Sequence, residues 1–217
     1  MSVYKIAGKK FDMSKSHRQP DLMESSQEDN TWYYNAVEGQ PSHAGESGTG
    51  FDAEGKQIPY SLGPHSLKSM RSLLTESGFV CGKMLEIGFN LGYSARIWLS
   101  LLPEVQLTSV DISNKKETLT AAAVVSEKYP DRFRFVNADS KTIASLLPGE
   151  TFDIAFIDGD HSEEGIVADI QNCLDLGIKT MLFDDWLPEF GLTIPALSRF
   201  KVREIFVNGN LALARFS

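Results

Sequence analysis

Cysteine is nearly absent: Cys81 and Cys173 stand far apart and in no C-x-x-C pair. That excludes a disulfide framework and a thiolate zinc site, and it fits a reducing cytoplasm. Basic blocks are missing too. With 21 Lys and Arg against 29 Asp and Glu, the net charge is −8, which repels a phosphate backbone, so nucleic acid is a poor partner. No apolar run approaches the ~20 residues of a membrane span. The opening Met1-Ser2-Val3-Tyr4-Lys5 lacks the apolar stretch of a secretion signal. The expectation is a soluble cytoplasmic protein with no membrane partner.

What is present is ordinary globular material. The 217 residues are 42% hydrophobic and 23% charged, enough for one well-buried domain and short for two. Residues 1–64 are polar and glycine-rich, without a sustained period of 3.6 or 2. Their aromatic and apolar islands, Trp32-Tyr33-Tyr34 and Ile58-Pro59-Tyr60, suit either a lid over a pocket or a partly disordered leader. The folded domain is expected over 65–217.

The chain is organised around Lys83 to Ser94, K-M-L-E-I-G-F-N-L-G-Y-S. Met84, Leu85 and Ile87 form an apolar strand, Gly88 and Gly92 break it into a turn, and a helical pattern begins at Ser94. Such a turn lets a ligand approach the main chain and offers the free N–H groups of a helix start. The spacing E-x-G-x-x-x-G lacks the third glycine of the nicotinamide-dinucleotide fingerprint, which argues against a dehydrogenase. A second strand, Gln106 to Val110, ends on Asp111, where an acidic side chain can accept hydrogen bonds from both hydroxyls of a ribose. The plain alternative is an ordinary strand-turn-helix whose glycines only shape the turn.

Strands and helices then alternate. Helix 65–77 carries Leu67, Met70, Leu73 and Leu74 at helical spacing, with His65 at its entrance and Gly78 as its stop. Helix 94–102 ends at Pro103. Helix 115–129 follows the second strand, with Ser113 or Asn114 as its cap. Strands at 133–138, 152–158 and 179–184 are separated by a short helix to Leu147 and by helix 163–176, with Ile166, Ile170 and Leu174 on one stripe. After a short helix at 194–200, two apolar runs flank Asn208-Gly209-Asn210, a hairpin signal. The fold class is therefore α/β: a doubly wound, mostly parallel seven-stranded sheet closing in an antiparallel hairpin.

Ligands of open parallel sheets bind outside the carboxyl ends of the strands. Here the strands stop on Glu86, Asp111, Asp139, Asp158 and Asp184-Asp185. Aspartate is a poor strand residue and costly to bury, so its repetition points to polar work at one rim. Capping of the next helix suits Asp139 and fails for Asp184-Asp185, which no obvious helix follows. Asp158 and the Asp184-Asp185 pair, on adjacent strands, would repel each other unless a cation sat among them. All-oxygen donors suit Mg2+, or another divalent cation such as Ca2+ or Mn2+.

These residues resemble the class I S-adenosylmethionine-dependent methyltransferases. E-I-G-x-x-x-G-Y-S is similar to their small-molecule O-methyltransferase branch, and I-D-G-D-H with D-D is similar to its metal-dependent members, of the macrocin and novobiocin and the catechol and caffeoyl-CoA types. The resemblance covers roughly 67–217. It implies a Rossmann-like methyltransferase fold, S-adenosylmethionine as cofactor, and a small-molecule hydroxyl as acceptor. It implies Asp158, Asp184 and Asp185 as metal ligands and a general base at His161 or Asp160. His161 is preferred, because a free imidazole titrates at about 6.5 and accepts a proton at neutral pH.

For the cofactor, the resemblance implies Gly88 and Gly92 beside the methionine part, Ser94 on its carboxylate and Asp111 on the ribose. Asp139 and Ser140 lie at the adenine edge, with Ile112 packed on the ring. Phe89 and Asn90 fill variable loop positions, Glu86 organises the loop and senses the sulfonium, and Asp158 counts with the cofactor residues as well as the metal ligands. Acceptor specificity is expected from residues 1–63 and 186–193. A metal-independent methyltransferase and a catalytically silent cofactor-binding module remain alternatives, and a homodimer is compatible with the pattern.

Overall fold

The computed structural model describes residues 64–186, 193–208 and 211–217, with side chains from Met70 onward, and four short strands before them. Those strands pair as two antiparallel ribbons, β1 (Val3–Ile6) with β2 (Lys9–Asp12) and β3 (Thr49–Phe51) with β4 (Gln57–Pro59). The aromatic residues 32–34, the His65 side chain, segment 187–192 and the turn residues 209–210 lie outside the described residues.

From α1 (Pro64–Ser77) the chain alternates as its periodicity predicts. β5 (Gly82–Ile87) leads to α2 (Tyr93–Leu101), β6 (Val105–Asp111) to α3 (Lys116–Lys128), and β7 (Phe133–Asn137) to a 3-10 turn (Ser140–Thr142) and α4 (Ile143–Leu146). β8 (Ile154–Ile157), α5 (Glu163–Asp175), β9 (Thr180–Phe183) and α6 (Thr193–Leu197) precede the ribbon β10 (Val202–Asn208) and β11 (Leu211–Phe216). The sheet order is β10-β11-β9-β8-β5-β6-β7. β5 to β9 run parallel, and β11 is inserted antiparallel between β9 and β10.

Strand alternation sorts the core into two layers. Met84 shares one layer with Phe89, Trp98 and Phe156. Leu85 and Ile87 face the other, with Ile166, Ile170 and Trp186. Both faces of the central strands are covered, which is why they read as nearly unbroken apolar runs. Period 2 places Glu86 on the Met84 face, toward α2.

The expected cap of α3 differs. Its N-cap is Lys115, without a side-chain cap bond, because the Ser113 hydroxyl accepts hydrogen bonds from the Lys115 N–H and the Thr118 hydroxyl instead. Side-chain caps do form elsewhere, where Ser162 accepts from Gly165 N–H at the start of α5 and Asp139 from Lys141 N–H.

From β5 the chain steps outward to β6 and β7, then returns to place β8 on the other side of β5. Between β5 and β8 lies the topological switch point, where a crevice opens beyond the strand ends.

Candidate active site

At that point the main chains of two strand ends touch. Gly88 has φ +92°, and a Cβ there would overlap the Asp158 carbonyl oxygen. Only glycine closes this approach. Gly92, at φ +72°, has no room for a side chain either, because the Phe89 ring lies beneath it.

Asp111 shapes the turn between the two glycines. One carboxylate oxygen accepts from Phe89 N–H at 2.9 Å and Asn90 N–H at 2.7 Å, and the other from Ser113 N–H at 2.8 Å. Asn90 is exposed and takes φ +48°. Phe89 presents only its backbone, since its ring is 1% exposed and packs on Phe133 and Phe135 at 5.7 and 5.1 Å between centroids. Ile112, beside Asp111, is an apolar side chain left 65% exposed at the same rim.

Glu86 is fully buried beneath this turn. Its two oxygens accept from the hydroxyls of Ser94, at 2.6 Å, and Ser109. Burial pushes its carboxyl from an ordinary 4.5 up to about 7, against the lowering effect of both hydroxyls. The Ser94 hydroxyl, 7% exposed in total side chain and backbone, is thus engaged inward rather than presented to a ligand carboxylate.

The second group of acids sits where β8 and β9 end. Asp158 is half-buried, and burial, then Asp184 and Asp185, raise its carboxyl well above the ordinary carboxylate range. Burial raises Asp184 to about 6, with Asp185 adding to the rise. Asp185 itself takes φ +49°. His161 stands between two carboxylates, with Nδ1 3.3 Å from an Asp185 oxygen and Nε2 3.7 Å from an Asp158 oxygen. Asp160, the other base considered, turns away. Its carboxylate accepts from Ser162 N–H at 2.9 Å and packs on Gly165 at the start of α5; those hydrogen bonds hold it below its ordinary value. Among the described residues no three His, Cys, Asp or Glu side chains gather closely enough to hold a metal ion.

Asp139 caps the 3-10 turn after β7, with Ser140 beside it. The strand ends thus bring Glu86, the 88–92 turn, Asp111 and Ile112 together on one side and Asp158, His161, Asp184 and Asp185 on the other. Sequence reasoning passed over Asp169 of α5, a carboxylate 1% exposed. Its signal was available: it falls on the buried stripe with Ile166, Ile170 and Cys173, where only apolar side chains are expected.

Residues 85–186 match the family described as a methyltransferase domain. Over that segment the chain is similar to a methyltransferase domain, and its sheet has the Rossmann-like order of such folds. A methyltransferase of Podospora anserina, solved with S-adenosylhomocysteine bound, is similar in structure with a TM-score of 0.56 at 17% identity, over 94% of this chain and 91% of that one. A Staphylococcus aureus protein described as a caffeoyl-CoA O-methyltransferase gives 0.52 at 12% identity, over 70% and 83% of the two chains. A Burkholderia thailandensis O-methyltransferase family protein gives 0.50 at 12%, over 70% and 57%. Curated protein sequences return no significant match. At these identities the likeness is one of fold, and the two acidic groups of this sheet lie at the strand ends where open parallel sheets bind ligands. No helix among the described residues is long and apolar enough to cross a membrane.

Proposed function

We propose that the protein transfers a methyl group from S-adenosylmethionine to a hydroxyl oxygen of a small molecule. The observation that carries this reading is the strapping of the Gly88–Gly92 turn to Asp111 at the switch point. A carboxylate offers about four acceptor sites and Asp111 uses three within the chain, which leaves capacity for a ribose hydroxyl. Ile112 supplies an exposed apolar surface for a flat base. The acidic surroundings favour a cationic sulfonium.

In the reaction, the carbon–sulfur bond of the sulfonium breaks as a carbon–oxygen bond forms. The acceptor's proton passes to a base, and S-adenosylhomocysteine leaves. His161 is the base in this reading: the Asp185 and Asp158 carboxylates flank its two ring nitrogens and fix the ring's orientation. The turn and the strand ends supply alignment, because the sulfonium is already a good leaving group.

In donor type Asp158, Asp184 and Asp185 suit a hard divalent cation, since all are oxygen ligands and their mutual repulsion is what a cation relieves; as they stand they are too far apart to hold one, so binding would have to draw them together. Bound there, it would lower the pKa of an acceptor hydroxyl. A second reading, metal-independent transfer, is favoured by the imidazole itself standing between Asp158 and Asp185, in the space a cation would take.

Calorimetric titration with S-adenosylmethionine, with and without Mg2+, tests both. Wild type is expected to bind in either buffer, Asp111→Ala to bind at least tenfold more weakly, and Asp158→Ala to keep cofactor binding while losing turnover on a panel of phenolic and sugar hydroxyls. Equal affinity in wild type and Asp111→Ala sinks the ribose assignment. Turnover undiminished by EDTA selects the metal-independent reading.

A further inference from the structure

The Asp169 carboxylate is buried on the apolar stripe of α5 beside Cys173. The Ser140 hydroxyl is hydrogen-bonded to it. Its Oδ2 has no hydrogen-bond partner among the described residues, and that same oxygen lies 3.1 Å from where a Cβ on Gly159 would stand. One side chain therefore touches the segment that follows β7 and the loop that follows β8. Lys141 and Asp160 attract each other across the same gap. A buried carboxylate oxygen without a partner costs stability that an apolar residue would not, and such violations concentrate where function requires them.

We propose that Asp169 is a positioning residue, holding the Asp139–Ser140 edge and the Asp158–His161 loop at a fixed separation. The inference rests on the proposed function, in which the first segment borders the adenine and the second carries the base. Through Asp169, the loop bearing His161 is set relative to the bound adenosyl group rather than relative to the sheet alone. Displacement of either segment by about 1 Å is enough to cost ~100-fold in rate. The ionisable groups around Asp169 are Asp160 and Lys141, Asp139 and the Cys173 thiol. Burial raises the Asp169 carboxyl to about 6.

The test is calorimetric titration with S-adenosylhomocysteine, alongside thermal melting, for wild type, Asp169→Asn, Asp169→Ala, Ser140→Ala and the Asp169→Ala/Ser140→Ala pair. Asp169→Ala is expected to weaken binding about tenfold, Asp169→Asn less than threefold, and the double variant no more than Asp169→Ala alone, the non-additivity of a shared contact. Unchanged affinity in Asp169→Ala despite a lowered melting temperature overturns the proposal, as do losses that multiply. Where Asp169→Ala does not fold, Ser140→Ala decides: about threefold weaker binding supports the link and unchanged binding overturns it. A wild type that does not bind S-adenosylhomocysteine sinks the proposed function alone. The link is then read in the ligand-free protein, where the amide resonances of Ser140 and Gly159 should titrate with a common midpoint near 6 in wild type and lose that step in Asp169→Asn. Independent titration of the two amides overturns it.

Discussion

The two edges of the central sheet handle carboxylates in opposite ways. At the amino-terminal edge two carboxylates are paired within the chain: Asp153 accepts from Lys83 N–H at 2.8 Å, and Glu150 takes both terminal nitrogens of Arg134 at 3.0 and 2.8 Å. At the carboxyl edge Glu86 meets only neutral hydroxyls, and Asp158 and Asp184 crowd each other. The paired acids of the first edge have charged or N–H partners, whereas Glu86, Asp158 and Asp184 at the second are raised by burial and by neighbouring carboxylates. The contrast separates residues that hold the fold from the candidate site residues, without reference to any relative.

The contrast can be broken most severely at Gly88. Gly88→Ala forces a Cβ into the Asp158 carbonyl at positive φ, and a loss of at least ~3 kcal/mol, or failure to fold, is expected in denaturant melts. A stable, ligand-binding variant would mean that the two strand ends do not meet there. Next in size is Glu86→Gln. The folded-state carboxyl titrates at about 7 against an ordinary 4.5, so the folded protein holds the extra proton between those values. Wild-type stability therefore falls as pH rises from 4.5 to 7 and stays reduced above. The Gln variant should lack that slope and be more stable at pH 8 by about 3 kcal/mol at most.

Asp184→Asn repeats the experiment with a smaller gain. Its carboxyl is raised from 3.8 to about 6, so wild type loses stability across that window, and the variant should melt higher at pH 7.5 while losing turnover. Smallest is Arg134→Ala at the other edge, a surface pair with both side chains substantially exposed, expected to cost ~0.2–1 kcal/mol and to leave ligand binding intact. Stabilisation by Arg134→Ala, or destabilisation by Glu86→Gln and Asp184→Asn at pH 8, would erase the distinction between the edges.

The architecture was legible because burial on both faces imposes apolar runs, glycine and proline punctuate them, and each parallel strand stops on an acid. The five stops, six acids from Glu86 to Asp185, fall at one end of the sheet. Side-chain direction was not legible. Ser94 reads as a ligand-facing hydroxyl, yet period 2 along β5 aims Glu86 at it and consumes the donor. Phe89 reads as a loop residue, yet the left-handed turn at Gly92 lets its ring fold into the core. Asp160 and His161 are sequence neighbours with opposite fates, because the start of α5 takes Asp160 for its own N–H groups. Asp169 needs the third dimension outright, since Ser140 and Gly159 come from different strand ends.

The ring of Phe89, seated beneath Gly92, also constrains how this molecule can change. Lengthening or shortening the turn would drag an aromatic anchor out of the interior, so neither natural drift nor laboratory grafting has latitude there. Changes to what the crevice accepts are easier to make in the loops around it than in this turn.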